Sequence, residues 1–229
     1  MTLSIIMPVL NEAAGIAEIL RALAPYRARG VEVIVVDGGS SDGTASLAHP
    51  LADRIVNAPR GRAMQMNAGA ACAKGDVFLF LHADTRLPEN ADALIAGGLA
   101  RTKRLWGRFD VRFDNDGWLN VIAFMMNWRS RVSGIATGDQ AIFITRTAFD
   151  EIGGFPVIAL MEDVAASARL KRRGRPLCLP AHVTTSARRW RQHGVWRTIL
   201  LMWRLRLAFF LGSDPKGLAR HYGYVPHES

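Results

Sequence analysis

The sequence predicts an α/β protein with one mostly parallel central sheet flanked by helices. Three observations carry that expectation. Short apolar runs alternate with segments of helical periodicity through the first third of the chain. Gly-, Asp- and Asn-rich clusters follow those runs, where strand-to-helix turns belong. Of 229 residues, 49% are apolar and 21% charged, enough to bury a core. Alternation of this kind lays successive strands side by side with helices covering the faces. The same composition excludes wholesale disorder, collagen-like repeats and coiled coil.

The first strand is Leu3–Val9, followed by Asn11, a residue type that caps helices. Ile16, Ile19, Leu20 and Leu23 then fall at i, i+3, i+4 and i+7, one face of a helix. Gly30 ends the connection and residues 31–36 read as a second buried strand, with Arg54–Asn57 a short third. Residues 64–73 form a small-residue-rich helix ending near Gly75, and the apolar run 77–81 is a fourth strand buried on both faces. In the second half, residues 105–114 alternate like a longer strand and 118–128 read as an apolar helix. Residues 141–145 give another strand, 162–173 a helix stopped by Gly174, and 195–211 a final helix. No low-complexity linker or internal repeat interrupts the chain, so one domain over 1–229 is expected.

Charge is unevenly placed. The net +9 resides in residues 165–229, where 13 Lys and Arg face Asp214 and Glu228, a local +11; the rest of the chain is −2. Such a surface attracts phosphates of any kind, and charge alone does not choose among nucleotide, nucleic acid and anionic lipid. In the last helix Arg204 and Arg206 interrupt the apolar stretches and no single-faced amphipathic stripe forms, so the segment suits either peripheral membrane contact or protein packing, including a dimer. The Trp residues there are embedded among apolar neighbours, not interleaved with the basic ones, which argues against a nucleic-acid module. Two cysteines, Cys72 and Cys178, without CxxC spacing argue against a disulfide scaffold or zinc ribbon. No run of about 18 uncharged apolar residues suggests a membrane span, and the N-terminal residues enter a strand without a basic leader, so a cytoplasmic protein is expected.

Several nucleotide and hydrolase signatures are missing. The first strand leads into Pro8-Val9-Leu10-Asn11-Glu12 and not into GxGxxG; no GxxxxGK[ST], GxSxG or HExxH occurs. What the chain has instead are acids at strand ends. The second strand runs into Val35-Val36-Asp37-Gly38-Gly39-Ser40-Ser41-Asp42-Gly43-Thr44, where a carboxylate beyond the strand can accept hydrogen bonds from a base or ribose and the glycines allow close approach. The fourth ends in Leu81-His82-Ala83-Asp84, where side chains 82 and 84 of an extended chain share one side and suit Mn²⁺ or Mg²⁺ on a diphosphate. Arg62, near a helix start, is placed to address an anion. Each feature alone is equally a turn or a cap.

Together, in this order and spacing, these segments resemble family 2 glycosyltransferases of the GT-A fold. Gly138-Asp139-Gln140-Ala141, Gly153-Gly154-Phe155-Pro156 and Leu160-Met161-Glu162-Asp163-Val164 extend the resemblance, which covers roughly residues 3–190. It implies a donor half over 1–115, an acceptor and catalytic half over 116–190, and a basic apolar tail over 191–229. It further implies an inverting transfer from a nucleotide-diphosphate sugar, UDP first, with a divalent cation, to a hydroxyl on a lipid-linked or small acceptor. Pro8, Asn11, Glu12, Asp37, Gly39, Arg62, Asn67, His82, Ala83 and Asp84 would hold the donor, with Asp37 matching the uracil contact and Asp84 the metal-binding acid. Asp163 matches the catalytic base, with Glu162 beside it; as the first acids of a helix the pair are also simple N-terminal charges worth about 0.3–1 kcal/mol. Asp139, Gln140, Arg188, Arg189 and Trp190 would serve the acceptor or phosphate. His82 stands where many such enzymes carry a first Asp and is a second candidate metal ligand; Gly38 replaces the second acid of a common VVDDGS pattern. Ser186 stands where the Gln of a QxxRW motif belongs, which argues against processive polymerisation. A nucleotidyltransferase of the same fold would need a GxGTR-like loop after the first strand, which Pro8 to Glu12 does not supply.

Overall fold

The computed structural model describes residues 1–114, 117–187 and 194–221. Its core is one eight-stranded mixed sheet in the order β3-β2-β1-β4-β7-β6-β8-β5. The strands are β1 (Leu3–Val9), β2 (Glu32–Asp37), β3 (Arg54–Asn57), β4 (Val77–Phe80), β5 (Thr85–Arg86), β6 (Trp106–Phe113), β7 (Phe143–Thr145) and β8 (Leu177–Thr185). The helices are α1 (Ile16–Ala22), α2 (Ala24–Ala28), α3 (Thr44–Ala48), α4 (Arg62–Cys72), α5 (Ala91–Thr102), α6 (Leu119–Ser133), α7 (Arg146–Glu151), α8 (Glu162–Lys171), α9 (Val195–Phe210) and α10 (Pro215–His221). β1 pairs in parallel with β2 and β4, and β2 with β3, so the carboxyl ends of the first four strands open onto one edge. β7 runs antiparallel between β4 and β6 and joins the two halves.

The apolar runs explain the layers. β1, β2 and β4 are nearly continuously buried, as strands covered on both faces must be, and their alternate side chains feed two separate clusters. Ile5, Met7, Val33, Val35, Leu79 and Phe109 pack one face; Ile6, Ile34, Val36, Phe78, Phe80 and Trp106 pack the other. α4 lies on the second face close enough that a Cβ at Gly69 would meet Ile6 Cγ2 at 2.4 Å, so only glycine allows that approach.

The expected elements are present with ends displaced by at most five residues. The helix expected over 118–128 continues to Ser133, where Gly134 takes a left-handed conformation and ends it. Asn11 is not a helix cap: it sits at φ +54°, its Oδ1 accepts from the Ser41 N–H, and α1 begins only at Ile16 on the Glu12 carbonyl. β8 was hidden in the sequence by Pro180. Proline donates no ladder hydrogen bond, and the pairing with β6 slips there, from Leu179 opposite Phe109 to His182 opposite Asp110. α5, with Gly97 and Gly98 in its middle, showed no strong periodicity, yet it packs on β8 because Gly98 lets Leu177 approach.

α9 resolves one of the open alternatives in part. Leu205, with Leu201, Met202, Ala208 and Phe209 around it, packs against Leu160, Met161, Val164 and the α10 residues Leu218 and Ala219. One face of the helix is therefore protein core. Leu200, Trp203, Leu207 and Phe210 on its other face are exposed. Among the described residues no helix is long and apolar enough to cross a membrane.

Candidate active site

A cavity of about 610 Å³ opens beyond the carboxyl ends of β1 and β4, of a size that takes a small-molecule ligand. Its walls come from Pro8, Val9, Leu10 and Glu12 at and beyond the end of β1, His82 to Asp84 after β4, Phe113 and Thr185 at the ends of β6 and β8, the turn Thr137 to Asp139, the start of α8 from Leu160 to Val164, and the facing sides of α6 and α9. Arg62 and Gln65 of α4 close the floor. Parallel strands deliver their C-terminal loops to one edge, which is why segments far apart in sequence meet here.

The turn after β4 does not place His82 and Asp84 as an extended strand would. The Thr85 N–H donates to the His82 carbonyl at 3.1 Å, so the chain folds over between them. Asp84 is exposed, and one of its oxygens accepts from Thr85 Oγ1 at 3.3 Å. His82 has Nδ1 3.5 Å from Asp139 Oδ1 and its Nε2 edge packed against Gly138. Burial works against a charged imidazole and is the largest influence on it; the Asp139 carboxylate overcomes that and holds His82 above the usual histidine value. The same bond, with the charges of Arg62 and Arg206, keeps Asp139 below the usual carboxylate range despite its partly desolvated setting. His82 is thus paired with Asp139 through Nδ1, while His82 and Asp84 both line the cavity. Among the described residues no three His, Cys, Asp or Glu side chains converge as a ready metal cage. Asp84 alone fits a divalent cation, in the manner of Mg²⁺ sites that take one or two carboxylates and draw the rest of their ligands from substrate phosphates.

Glu162 and Asp163 open α8 as its first two residues, after Met161 in a left-handed conformation. Both line the cavity. Asp163 Oδ2 accepts the Gly138 N–H at 2.8 Å and Oδ1 its neighbour Val164 N–H at 2.7 Å, which ties the Asp139 turn to the helix start. Glu162 is buried, and burial followed by the charge of Asp163 pushes its carboxyl up to about 7. The helix N-terminus favours its ionised form by about 0.3–1 kcal/mol, too little to offset that burial.

The other expected donor and acceptor residues divide. Pro8, Glu12, Arg62, Ala83 and Asp139 line the cavity. Asp37, Asn11 and Gly39 do not. Asp37 is buried, and its carboxylate accepts the Ser40 N–H at 3.0 Å and the Ser40 hydroxyl, while that hydroxyl accepts the Asn11 N–H. A buried carboxylate needs such partners, and here the loop itself supplies them; Asp37 and Asp84 therefore do not front one cavity. Asn67 is likewise withdrawn, its amide clamped on Phe155 by Nδ2 to the carbonyl at 2.8 Å and Oδ1 from the N–H at 2.9 Å. Gln140 is fully buried, capping its own turn through Thr137 and donating to Asn127 Oδ1 at 3.2 Å. Arg188, Arg189 and Trp190 lie outside the described residues.

The cavity also holds residues for which no site role was expected from the sequence, among them Gln65, Arg129 and Arg206. Gln65 is buried and its Nε2 donates to the Val9 and Val36 carbonyls, both at 2.8 Å, fixing the floor between β1 and β2. Arg129 of α6 and Arg206 of α9 also line the cavity. A basic residue ending an apolar helical stretch was the one available signal for each.

An open strand edge without a glycine fingerprint, carrying one exposed acid after β4 and an acid pair at a helix start, is the arrangement of a GT-A type fold. The chain belongs to the family described as Glycosyl transferase family 2, whose pattern matches residues 4–158. Among curated relatives it is similar to a PGL/p-HBAD biosynthesis glycosyltransferase of Mycobacterium bovis, 31% identical over 169 residues covering 66% of this chain and 62% of that protein. It is also similar to the undecaprenyl-phosphate 4-deoxy-4-formamido-L-arabinose transferase of Pseudomonas aeruginosa, 27% identical over 153 residues, 62% of this chain and 45% of that one. The chain thus spans less than two thirds of these relatives' length. Its fold is that of the mannosyltransferase PcManGT from Pyrobaculum calidifontis, solved in complex with GDP-Man and Mn²⁺, with a TM-score of 0.67 at 22% identity over 96% of this chain and 63% of that one.

Proposed function

We propose that this glycosyltransferase moves a sugar, with inversion, from a nucleotide-diphosphate donor to a hydroxyl of a lipid-linked or small acceptor. The observation that carries the reading is the meeting of Asp84, Arg62, Glu162 and Asp163 around one cavity at the strand ends. The donor diphosphate lies toward Arg62 and the α4 N-terminus, both of which attract anions. Asp84 would hold a divalent cation there, and that cation would supply positive charge to the departing diphosphate. Asp163 is held by two backbone N–H groups and keeps a free lone pair on each oxygen, so it can take the acceptor proton as the hydroxyl attacks the anomeric carbon. Glu162, pushed up to about 7 by burial and then by the Asp163 charge, is about half protonated near neutrality and so carries less than a full charge beside Asp163.

With Asp37 closed on Ser40, Pro8, Glu12 and Gln65 bound the base end of the cavity, and uridine is proposed on the family resemblance alone. UDP-, GDP- and dTDP-sugars assayed by thermal shift with and without Mn²⁺ test the donor: one nucleotide should stabilise the protein only with the metal. Stabilisation by none of them sinks the reading.

A further inference from the structure

Two guanidinium groups on separate helices line the cavity near Asp163 and Asp139, yet leave donor nitrogens unmet. Nε and Nη2 of Arg129 and Nε of Arg206 are buried, and none of the three has a hydrogen-bond partner. Both residues line the cavity. Burial, followed by the like charge of Arg206, pulls Arg129 down to about 10, and Asp163 compensates only in part. Leaving buried donors unmade is among the costlier things a fold can do, and two such arginines on separate helices form a fork suited to an oxyanion. This end of the cavity also opens onto an apolar face. Trp128 and Trp203 line it while remaining more than half exposed, and Phe124, Leu207 and Phe210 extend the same exposed surfaces of α6 and α9. A contiguous apolar patch of this kind beside a cavity marks an interaction site.

We propose that Arg129 and Arg206 form a phosphate-binding subsite for a lipid-linked acceptor, whose hydrocarbon chain lies along the exposed apolar faces of α6 and α9. The arginines satisfy their donors on the phosphate, and the Trp128 and Trp203 side chains receive the first part of the chain. Charge complementarity selects the anion; the apolar rim selects an amphiphile over a free phosphate or a soluble sugar. The inference rests on the transfer reading only in naming the ligand the acceptor.

The test titrates the intact protein with farnesyl phosphate, farnesol, inorganic phosphate and, separately, UDP with Mn²⁺, by calorimetry. Farnesyl phosphate should bind about tenfold or more tightly than either farnesol or inorganic phosphate. The double variant Arg129→Gln/Arg206→Gln should lose about tenfold or more of that affinity while UDP with Mn²⁺ changes by no more than about threefold. Arg129→Lys/Arg206→Lys, which keeps the charge but not the fork, should fall between them. Without ligand, Arg129→Met should melt higher than the wild type, since an unpaired buried guanidinium is removed; a lower melting temperature would mean the arginine is structural and overturn the assignment. Equal binding of farnesol or of inorganic phosphate, an unaffected double variant, or a parallel loss of UDP binding each overturns it as well. A wild type that takes farnesyl phosphate as described but no nucleotide sugar would leave the subsite standing and remove the transfer reading.

Discussion

Glu162 offers a quantitative check on the electrostatics of the cavity. Moving its carboxyl from 4.5 to about 7, as burial and then the Asp163 charge do, penalises the ionised form by about 3 kcal/mol, at ~1.4 kcal/mol for each pH unit. Because the folded value lies above the unfolded one, the contribution to stability is fully present below the unfolded value and is lost as pH rises through the folded value. Between about pH 5 and about pH 8 the wild type should therefore lose about 2–3 kcal/mol through this one group. Glu162→Gln carries no such charge and should lack that part of the fall, so its advantage over the wild type should grow with pH. Asp163→Asn removes the second cause of the shift, and should shrink the fall without abolishing it. Urea denaturation followed by circular dichroism at several pH values reads all three proteins. Parallel pH dependence in wild type and Glu162→Gln would refute the placement of this carboxyl in a desolvated wall.

Four further outcomes are expected. Asp163→Asn should keep donor binding and lose about 10²–10⁴-fold in turnover, measured with radiolabelled donor; normal transfer would remove Asp163 as the base. Asp84→Ala should abolish the metal-dependent nucleotide stabilisation in a thermal-shift assay. Gly138→Ala puts a Cβ 2.4 Å from His82 Nε2, so the imidazole must leave Asp139. The His82 midpoint, followed by NMR, should then fall, and chemical denaturation should show a loss of about 1–3 kcal/mol. Asp110→Ala strands the fully buried Arg108, which otherwise pairs with Asp110 beneath α6, and should cost about 3–5 kcal/mol in urea denaturation.

Much of the donor side was readable because its signals are local. An apolar run of strand length, an acid or glycine cluster after it, and a helical spacing after that are all properties of neighbouring residues, and β1, β2, β4, α4 and the start of α8 lie close to where the sequence puts them. What the sequence does not carry is direction. The sequence names His82, Asp84, Asp37 and Asn67, but which way each side chain turns depends on partners distant in the chain. Asp139 draws His82 across the cavity, Ser40 closes on Asp37, and the Phe155 backbone holds Asn67. β8 and α5 escaped notice because proline and paired glycines weaken the local pattern that tertiary packing then overrides.

By itself, then, the sequence determined the layer architecture, the family and the acids at the strand ends, because periodicity and turn chemistry act over a few residues. Only the tertiary structure decided which of those acids face a common cavity and which are consumed in holding loops. It also decided that Arg129 and Arg206, 77 residues apart, meet with unsatisfied donors beside an apolar face. Burial and charge neutralisation are properties of the assembled surroundings, and no stretch of sequence carries them.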